Sequence, residues 1–235
     1  MLKPLNGARA ERLLLGLRTV VEEHDLFLGV ATADDPDAVP AGPGEERLLR
    51  DALPTRRREF TAGRCAARRA LVRAGFPAGE ILSVGRRPSM PAGSVGSISH
   101  CADTAVALVA SRESHRAVGV DLELRPLPEE AAHLVLSVGE RAWLSDIAAN
   151  AAEAERWLLA AFSAKEAAFK AFSTLLGPGE APTMLLGVVL RPVPGGFLAR
   201  PSRLPGPVVQ VAVRPVGPGV LTWTAAPAPG TPGVL

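Results

Sequence analysis

The stretch from Trp157 to Phe172, W-L-L-A-A-F-S-A-K-E-A-A-F-K-A-F, constrains this chain most. It consists almost wholly of Ala, Leu and Phe, which favour a helix. It contains no Gly or Pro until Gly177-Pro178 closes it. Charges nevertheless sit inside the apolar run, at Lys165, Glu166 and Lys170. Glu166 stands four residues after Phe162 and three before Phe169, so it shares their face. A carboxylate among aromatic rings is costly unless something pairs with it, and Lys170, one turn on, is only one partner. Taken alone, the segment reads equally well as an amphipathic helix with a surface Glu–Lys pair.

The chain has 235 residues, enough for one large domain or two small ones. With 47% hydrophobic and 21% charged residues it belongs with globular rather than disordered chains. Tyr is absent and aromatics make up only 4%, so the core must be mostly Leu, Val and Ala. A net charge of +2 is too small to argue for nucleic acid. Cys65 and Cys101 match no zinc spacing or disulfide framework and read as reduced cytosolic thiols. The run Leu13 to Leu17 is too short for a signal peptide and is flanked by Arg12 and Arg18. No segment approaches the roughly 20 apolar residues that span a bilayer. The expectation is a cytoplasmic protein without membrane association.

Hydrophobic periodicity gives the remaining elements. A helix is expected over Ala8 to Glu23, and a buried strand over Leu26 to Thr32. A loop at 33–44 leads to a helix over Glu45 to Leu53. A second helix runs from Arg56 to Arg73, with Thr55 as its N-cap. A short strand, Ile81 to Val84, precedes the basic turn Gly85-Arg86-Arg87-Pro88. Ser97 to His100 and Thr104 to Ala110 form a hairpin, Ser111 to Arg116 a connector, and Ala117 to Glu123 a strand. Helices follow over Glu129 to Leu136 and Gly139 to Ile147, and a third begins at Ala151. From Met184 the apolar segments 184–190, 195–199, 207–213 and 220–224 read as a β-meander, with disorder expected in the last ten residues. The order predicts two α+β halves, 1–113 and 114–235.

In the helix R-R-R-E-F-T-A-G-R-C-A-A-R-R-A-L-V-R and the residue after it, Phe60, Gly63, Ala67, Ala70, Leu71 and Ala74 form a small-residue stripe, while Arg57, Arg64 and Arg68 line another side. The arginines are either a solvated face or an anion site, since guanidinium forks match phosphate oxygens. In V-G-V-D-L-E, Asp121 and Glu123 are two apart, so a strand projects both carboxylates from one face. Either this is a polar strand end or the two negative charges share a divalent cation. With Glu166 folded back there would be three hard oxygen ligands, a set that suits Mg²⁺ when substrate phosphate supplies the remainder. His100 lies between the arginines and the acidic pair. Cationic groups beside an acidic metal site point to a phosphorylated substrate.

Two rival readings remain. Ala92-Gly93-Ser94-Val95-Gly96 resembles a hydrolase nucleophile elbow, with Asp121 and His133 following, but Pro88 and Pro91 argue against the strand an elbow needs. The arginine helix could also track nucleic-acid phosphates, which leaves Asp121, Glu123 and Glu166 unexplained.

The motifs S-I-S-H, G-V-D-L-E and F-S-A-K-E-A-A-F-K, in this order after the arginine helix, resemble the 4′-phosphopantetheinyl transferases of the surfactin and enterobactin synthetase class. The resemblance covers roughly Arg56 to Phe172. It implies an α+β fold of two similar halves, a pseudo-dimer with the active site in the cleft between them. It implies a monomeric enzyme that moves 4′-phosphopantetheine from coenzyme A to a serine of an apo acyl- or peptidyl-carrier protein and releases adenosine 3′,5′-bisphosphate. Such carriers serve polyketide and nonribosomal peptide biosynthesis. Mg²⁺ would be the cofactor and coenzyme A the donor substrate, with no nucleic acid as partner. Carried over by motif, Asp121, Glu123 and Glu166 would be the metal carboxylates. Arg56, Arg64, Arg86 or Arg87, Ser99 and His100 would hold the nucleotide phosphates. Lys165 and Lys170 would bind the pyrophosphate, and Glu166 and Lys170 would act in catalysis.

Overall fold

The computed structural model describes residues 7–85, 87–177, 179–203 and 206–230. Arg86 and Pro178 therefore lie outside the described residues, as does part of the tail expected to be disordered. The part of that tail in view is ordered, because the last strand runs to Pro227.

Helix α4 (Pro54–Arg73) lies on a three-stranded antiparallel sheet ordered β1 (Phe27–Thr32), β5 (Thr104–Ser111), β4 (Ser94–Cys101). Helix α7 (Ala151–Leu175) lies on a five-stranded antiparallel sheet. Its order is β6 (His115–Glu123), β10 (Gly219–Pro227), β9 (Val209–Val216), β8 (Gly196–Pro201), β7 (Val188–Val193). Strand alternation sorts the core. Val106 and Leu108 of β5 and Val120 and Leu122 of β6 face one shared core, which also holds Ala10 and Leu14 of α1 (Gly7–Gly16) and Trp223. Ala105, Ala107 and Val109 face α4, while Ala117 faces α7. The fold is α+β, with a helix backing each sheet.

The two helices sit on their sheets by the same device. A Cβ on Gly29 of β1 would overlap the carbonyl oxygen of Ala66, and one on Gly119 of β6 would overlap that of Ala167. The buried stripes are therefore alanines: Ala62, Ala66 and Ala70 in α4, and Ala164, Ala167, Ala168 and Ala171 in α7. Phe162 and Phe169 lie beside this stripe and are only partly buried. Each half also carries a buried glutamate that ties its helix to backbone. Glu45 accepts Arg68 and the amides of Ile81 and Ala41. Glu140 accepts Lys165 and the amides of Leu190 and Ser137.

Several boundaries differ from the pattern-based expectation. The first helix breaks at Leu17 into α1 and α2 (Arg18–Glu22). The next, α3, covers Pro43–Leu48 only. Pro54 occupies N1 of α4, so Leu53 rather than Thr55 is its N-cap. The expected strand over Ile81 to Val84 is reduced to β2 (Ser83–Val84), paired with β3 (Arg87–Pro88). Hydrogen bonding carries both arms of the β4–β5 hairpin further than apolar pattern alone indicates. The connector shrinks to residues 112–114, because β6 begins at His115. Residues 129–136 form a 3-10 turn and α5 (Ala132–Val135), followed by α6 (Val138–Ile147) under a capping box of Ser137 and Glu140. The expected 184–190 strand opens as a 3-10 turn, Leu185–Gly187, and pairs only from Val188. None of the helices among the described residues is long and apolar enough to cross a membrane.

Candidate active site

Strands β4 and β6 run side by side in the same direction where the two sheets meet, and α7 crosses β6 on its other side. Gly119 fixes that crossing. On α7, Ser163, Glu166 and Lys170 fall at i, i+3 and i+7 and share one face. On β6, Asp121 and Glu123 alternate with the core residues Val120 and Leu122, so both carboxylates project on the Ala117 and Gly119 side, toward α7. The i, i+2 inference from sequence thus describes their placement.

Asp121 is buried and fully engaged. Its Oδ1 accepts Ser99 Oγ at 2.8 Å and Lys170 Nζ at 2.8 Å, and its Oδ2 accepts Ser163 Oγ at 2.9 Å. Ser163 Oγ lies a further 2.9 Å from Thr222 Oγ1 on β10. Lys170 also donates to the carbonyl of Val120 at 3.0 Å. Beside it, Cys101 Sγ is 3.5 Å from Glu123 Oε2. Burial, with the neighbouring charges of Asp121 and Glu166, pushes Glu123 up to about 7. Glu166 is half-buried and close enough to contribute to that shift.

A cationic group adjoins these carboxylates. Arg56 Nη1 lies 3.3 Å from His100 Nε2, and Glu59 flanks both. Burial lowers the His100 pKa; Glu59 opposes this, while Arg56 and Lys170 reinforce it. Arg87, the first residue of β3, reaches across to donate to the carbonyl of Ser173 on α7 at 2.6 Å.

Three expected phosphate contacts are placed elsewhere. Lys165 is 0% exposed and donates to Glu140 Oε2 at 2.8 Å. It points away from Glu166, because successive helix residues diverge by about 100°. Arg64 is buried, stacks over Phe60, and spends its fork on the carbonyl of Ile81 at 2.7 Å and Ser83 Oγ at 2.9 Å. Ser99 is buried and its hydroxyl proton goes to Asp121. The rest of the arginine helix is likewise engaged. Arg57 holds the carbonyl of Leu49, Arg68 holds Glu45, Arg69 holds Asp35 and Asp37, and Arg73 holds Glu22. These bonds brace α2, α3 and the flanking loops against α4 rather than form a row of phosphate ligands, although Arg57 and Arg73 remain exposed at the surface. The elbow serine, Ser94, is 1% exposed, begins β4 and donates to the carbonyl of Pro91, so no substrate reaches it.

Sequence reasoning missed Ser163, Thr222, Cys101 and Glu59. Ser163 had a signal, its i−3 and i−7 spacing from Glu166 and Lys170. Thr222 had none, since its place opposite Asp121 comes from the β6–β10 register.

Comparison with known proteins finds sequence matches in both halves of the chain. The 4′-phosphopantetheinyl transferase N-terminal domain matches residues 44–110, and the 4′-phosphopantetheinyl transferase superfamily matches residues 117–186. The 4′-phosphopantetheinyl transferase Svp of Streptomyces mobaraensis is 39% identical over 179 residues, which covers 75% of this chain and 71% of that protein. PptT of Mycobacterium tuberculosis is 35% identical over 65% of this chain and 66% of its own length. Enterobactin synthase component D of Salmonella typhi is 39% identical over about half of either chain, 53% and 52%. With both halves matched and the Svp alignment covering more than two thirds of each partner, the chain belongs to the 4′-phosphopantetheinyl transferase family of enzymes.

Proposed function

We propose that this chain transfers 4′-phosphopantetheine from coenzyme A to a serine hydroxyl of an apo acyl- or peptidyl-carrier protein, with Mg²⁺ as cofactor and adenosine 3′,5′-bisphosphate as the second product. Residues 1–113 and 114–235 act as the two halves. The reading is carried by one observation beyond family membership. Asp121, in the matched G-V-D-L-E segment, is gripped at once by Ser99 of β4 and by Ser163 and Lys170 of α7, which makes it the junction of both halves.

The donor set fits magnesium. Among the described residues no group of three His, Cys, Asp or Glu could hold a metal ion unaided. Magnesium does not require one, since it takes one or two carboxylates and completes its shell with water and substrate phosphate. Asp121 and Glu123 offer hard oxygens, with Glu166 adjacent. Burial first, and then the neighbouring charges of Asp121 and Glu166, raise Glu123, and a cation would relieve the charge part of that shift. When bound there, Mg²⁺ would polarise the phosphoryl oxygens and offset their charge.

The residues divide the remaining work. Arg56, His100 and Arg86 or Arg87 hold the nucleotide phosphates, and Arg87 already reaches the carbonyl of Ser173 on α7. Lys170 sets a positive charge beside Asp121, where pyrophosphate charge grows as the bond breaks. Glu166 takes the proton from the carrier serine Oγ. That oxygen forms a bond to the phosphorus attached to pantetheine, and the bond to the adenosine bisphosphate oxygen breaks, so the departing group keeps the electron pair. Positioning and charge stabilisation supply most of the acceleration.

The test is mass spectrometry of an apo carrier incubated with the chain, coenzyme A and Mg²⁺. A mass gain of one phosphopantetheine is expected, and its absence across several carriers overturns the proposal. Glu166→Gln should bind coenzyme A and lose transfer. Near wild-type turnover in that variant would remove Glu166 as the base.

A further inference from the structure

The seam between the two sheets is built from side chains. At every second position of β4 from Ser97 onward a hydroxyl or thiol accepts an amide near β6. Ser97 Oγ accepts Val120 N–H at 3.2 Å, Ser99 Oγ accepts Leu122 N–H at 3.4 Å, and Cys101 Sγ accepts Leu124 N–H at 3.2 Å. Two of these three rungs have a second arm. Ser99 donates to Asp121 Oδ1 at 2.8 Å, and Cys101 faces Glu123 Oε2 at 3.5 Å, where its S–H can donate. Each two-armed rung therefore grips the carboxylate of one residue and the amide of the next. A carboxylate tied in this way to the backbone beside it is restricted in how far it turns relative to its strand, Asp121 more than Glu123. Ser97 lies opposite Gly119 and Val120, where there is no carboxylate to hold.

We propose that Ser99 and Cys101 are positioning residues that set the orientation and separation of the Asp121 and Glu123 carboxylates for a divalent cation. The first half of the chain thereby tunes the cation site of the second. The inference rests on the reading of Asp121 and Glu123 as cation ligands. Hydrogen-bond partners behind metal ligands typically alter affinity by about 10- to 100-fold. The sulfur rung is the weaker donor and the serine rung the stronger, so the larger effect belongs to Ser99.

Mn²⁺ binding to the full chain, followed by electron paramagnetic resonance without coenzyme A, separates the possibilities. Ser99→Ala and Cys101→Ala should each weaken Mn²⁺ by about tenfold or more. Cys101→Ser should restore most of the affinity, since a hydroxyl keeps both arms. Ser97→Ala removes an equivalent rung that has no carboxylate arm, so it should leave Mn²⁺ affinity within about twofold of wild type. Coenzyme A affinity, measured calorimetrically without metal, should hold in all four. Wild-type Mn²⁺ affinity in both Ser99→Ala and Cys101→Ala overturns the proposal, as does an equal loss in Ser97→Ala, which would make the ladder merely structural. If Asp121→Asn binds Mn²⁺ as tightly as wild type, the cation reading itself fails and takes this inference with it.

Discussion

Replacing Lys165 by Met asks whether the first lysine of the A-K-E-A-A-F-K run holds pyrophosphate or holds the fold. Its ammonium is 0% exposed, 2.8 Å from Glu140 Oε2 and 3.5 Å from the carbonyl of Leu185. Burial lowers its pKa and Glu140 works against that shift. Removing one partner of such a pair costs about 3–5 kcal/mol, because the other charge stays buried. Glu140 keeps two amide donors, Leu190 N–H and Ser137 N–H, each at 2.8 Å, which places the loss near the lower end. A loss of about 3 kcal/mol lowers Tm by roughly 6–12 °C in a chain of this size. Thermal unfolding by circular dichroism measures it, and calorimetry below the transition measures coenzyme A affinity. That affinity should stay within about twofold of wild type, because the side chain points away from the Asp121 cluster. A Tm equal to wild type together with a tenfold loss of coenzyme A affinity would refute the argument and restore Lys165 as a phosphate ligand.

Three further outcomes can be checked. Gly119→Ala places a methyl group on the Ala167 carbonyl oxygen; α7 must lift, at a cost near the roughly 3 kcal/mol upper end for overpacking, and transfer activity should fall with stability in denaturant titration. His115 is buried, its Nδ1 finds no hydrogen-bond partner among the described residues, and burial lowers its pKa, with Asp25 opposing and His24 reinforcing the shift. The neutral ring is therefore favoured in the fold, a contribution present above the unfolded value of about 6.5 and lost as pH falls through the lowered folded pKa; His115→Gln should flatten the decline of Tm between about pH 7 and 5, and an unchanged pH profile would contradict it. Arg87→Ala should weaken coenzyme A binding more than Arg58→Ala, because Arg87 reaches α7 whereas Arg58 pairs at the surface with Asp34 and Asp103; equal affinities in calorimetry would remove Arg87 from the phosphate site.

The sequence carried the α+β class, the α7 helix and the acidic pair, because each rests on local periodicity. Asp121 and Glu123 share a face for the same reason that Ala117 and Gly119 do. What the periodicity did not reveal was the repeated plan of the halves. Its trace is short: L-G-V in β1 and V-G-V in β6, each glycine lying under a helix carbonyl. A charged residue in a helix also reads alike whether it adjoins the Asp121 cluster or is claimed by a partner elsewhere. Arg64 and Lys165 looked like Arg56 and Lys170 in sequence, and the backbone carbonyl and the glutamate that claim them come from segments 17 and 25 residues away.

By itself, then, the chain determined which residue types alternate on which strand and which recur along which helix, since those periods are properties of the backbone. Only the tertiary structure decided their partners. It turned Ser99 from a phosphate ligand into a grip on Asp121, joined Ser163 and Thr222 to the same carboxylate, and withdrew Lys165 and Arg64 into the frame. Hydrogen bonds and ion pairs reach only about 3–4 Å, so which group satisfies which depends on packing that brings distant segments together, here the glycine-set approach of α4 and α7 to their sheets.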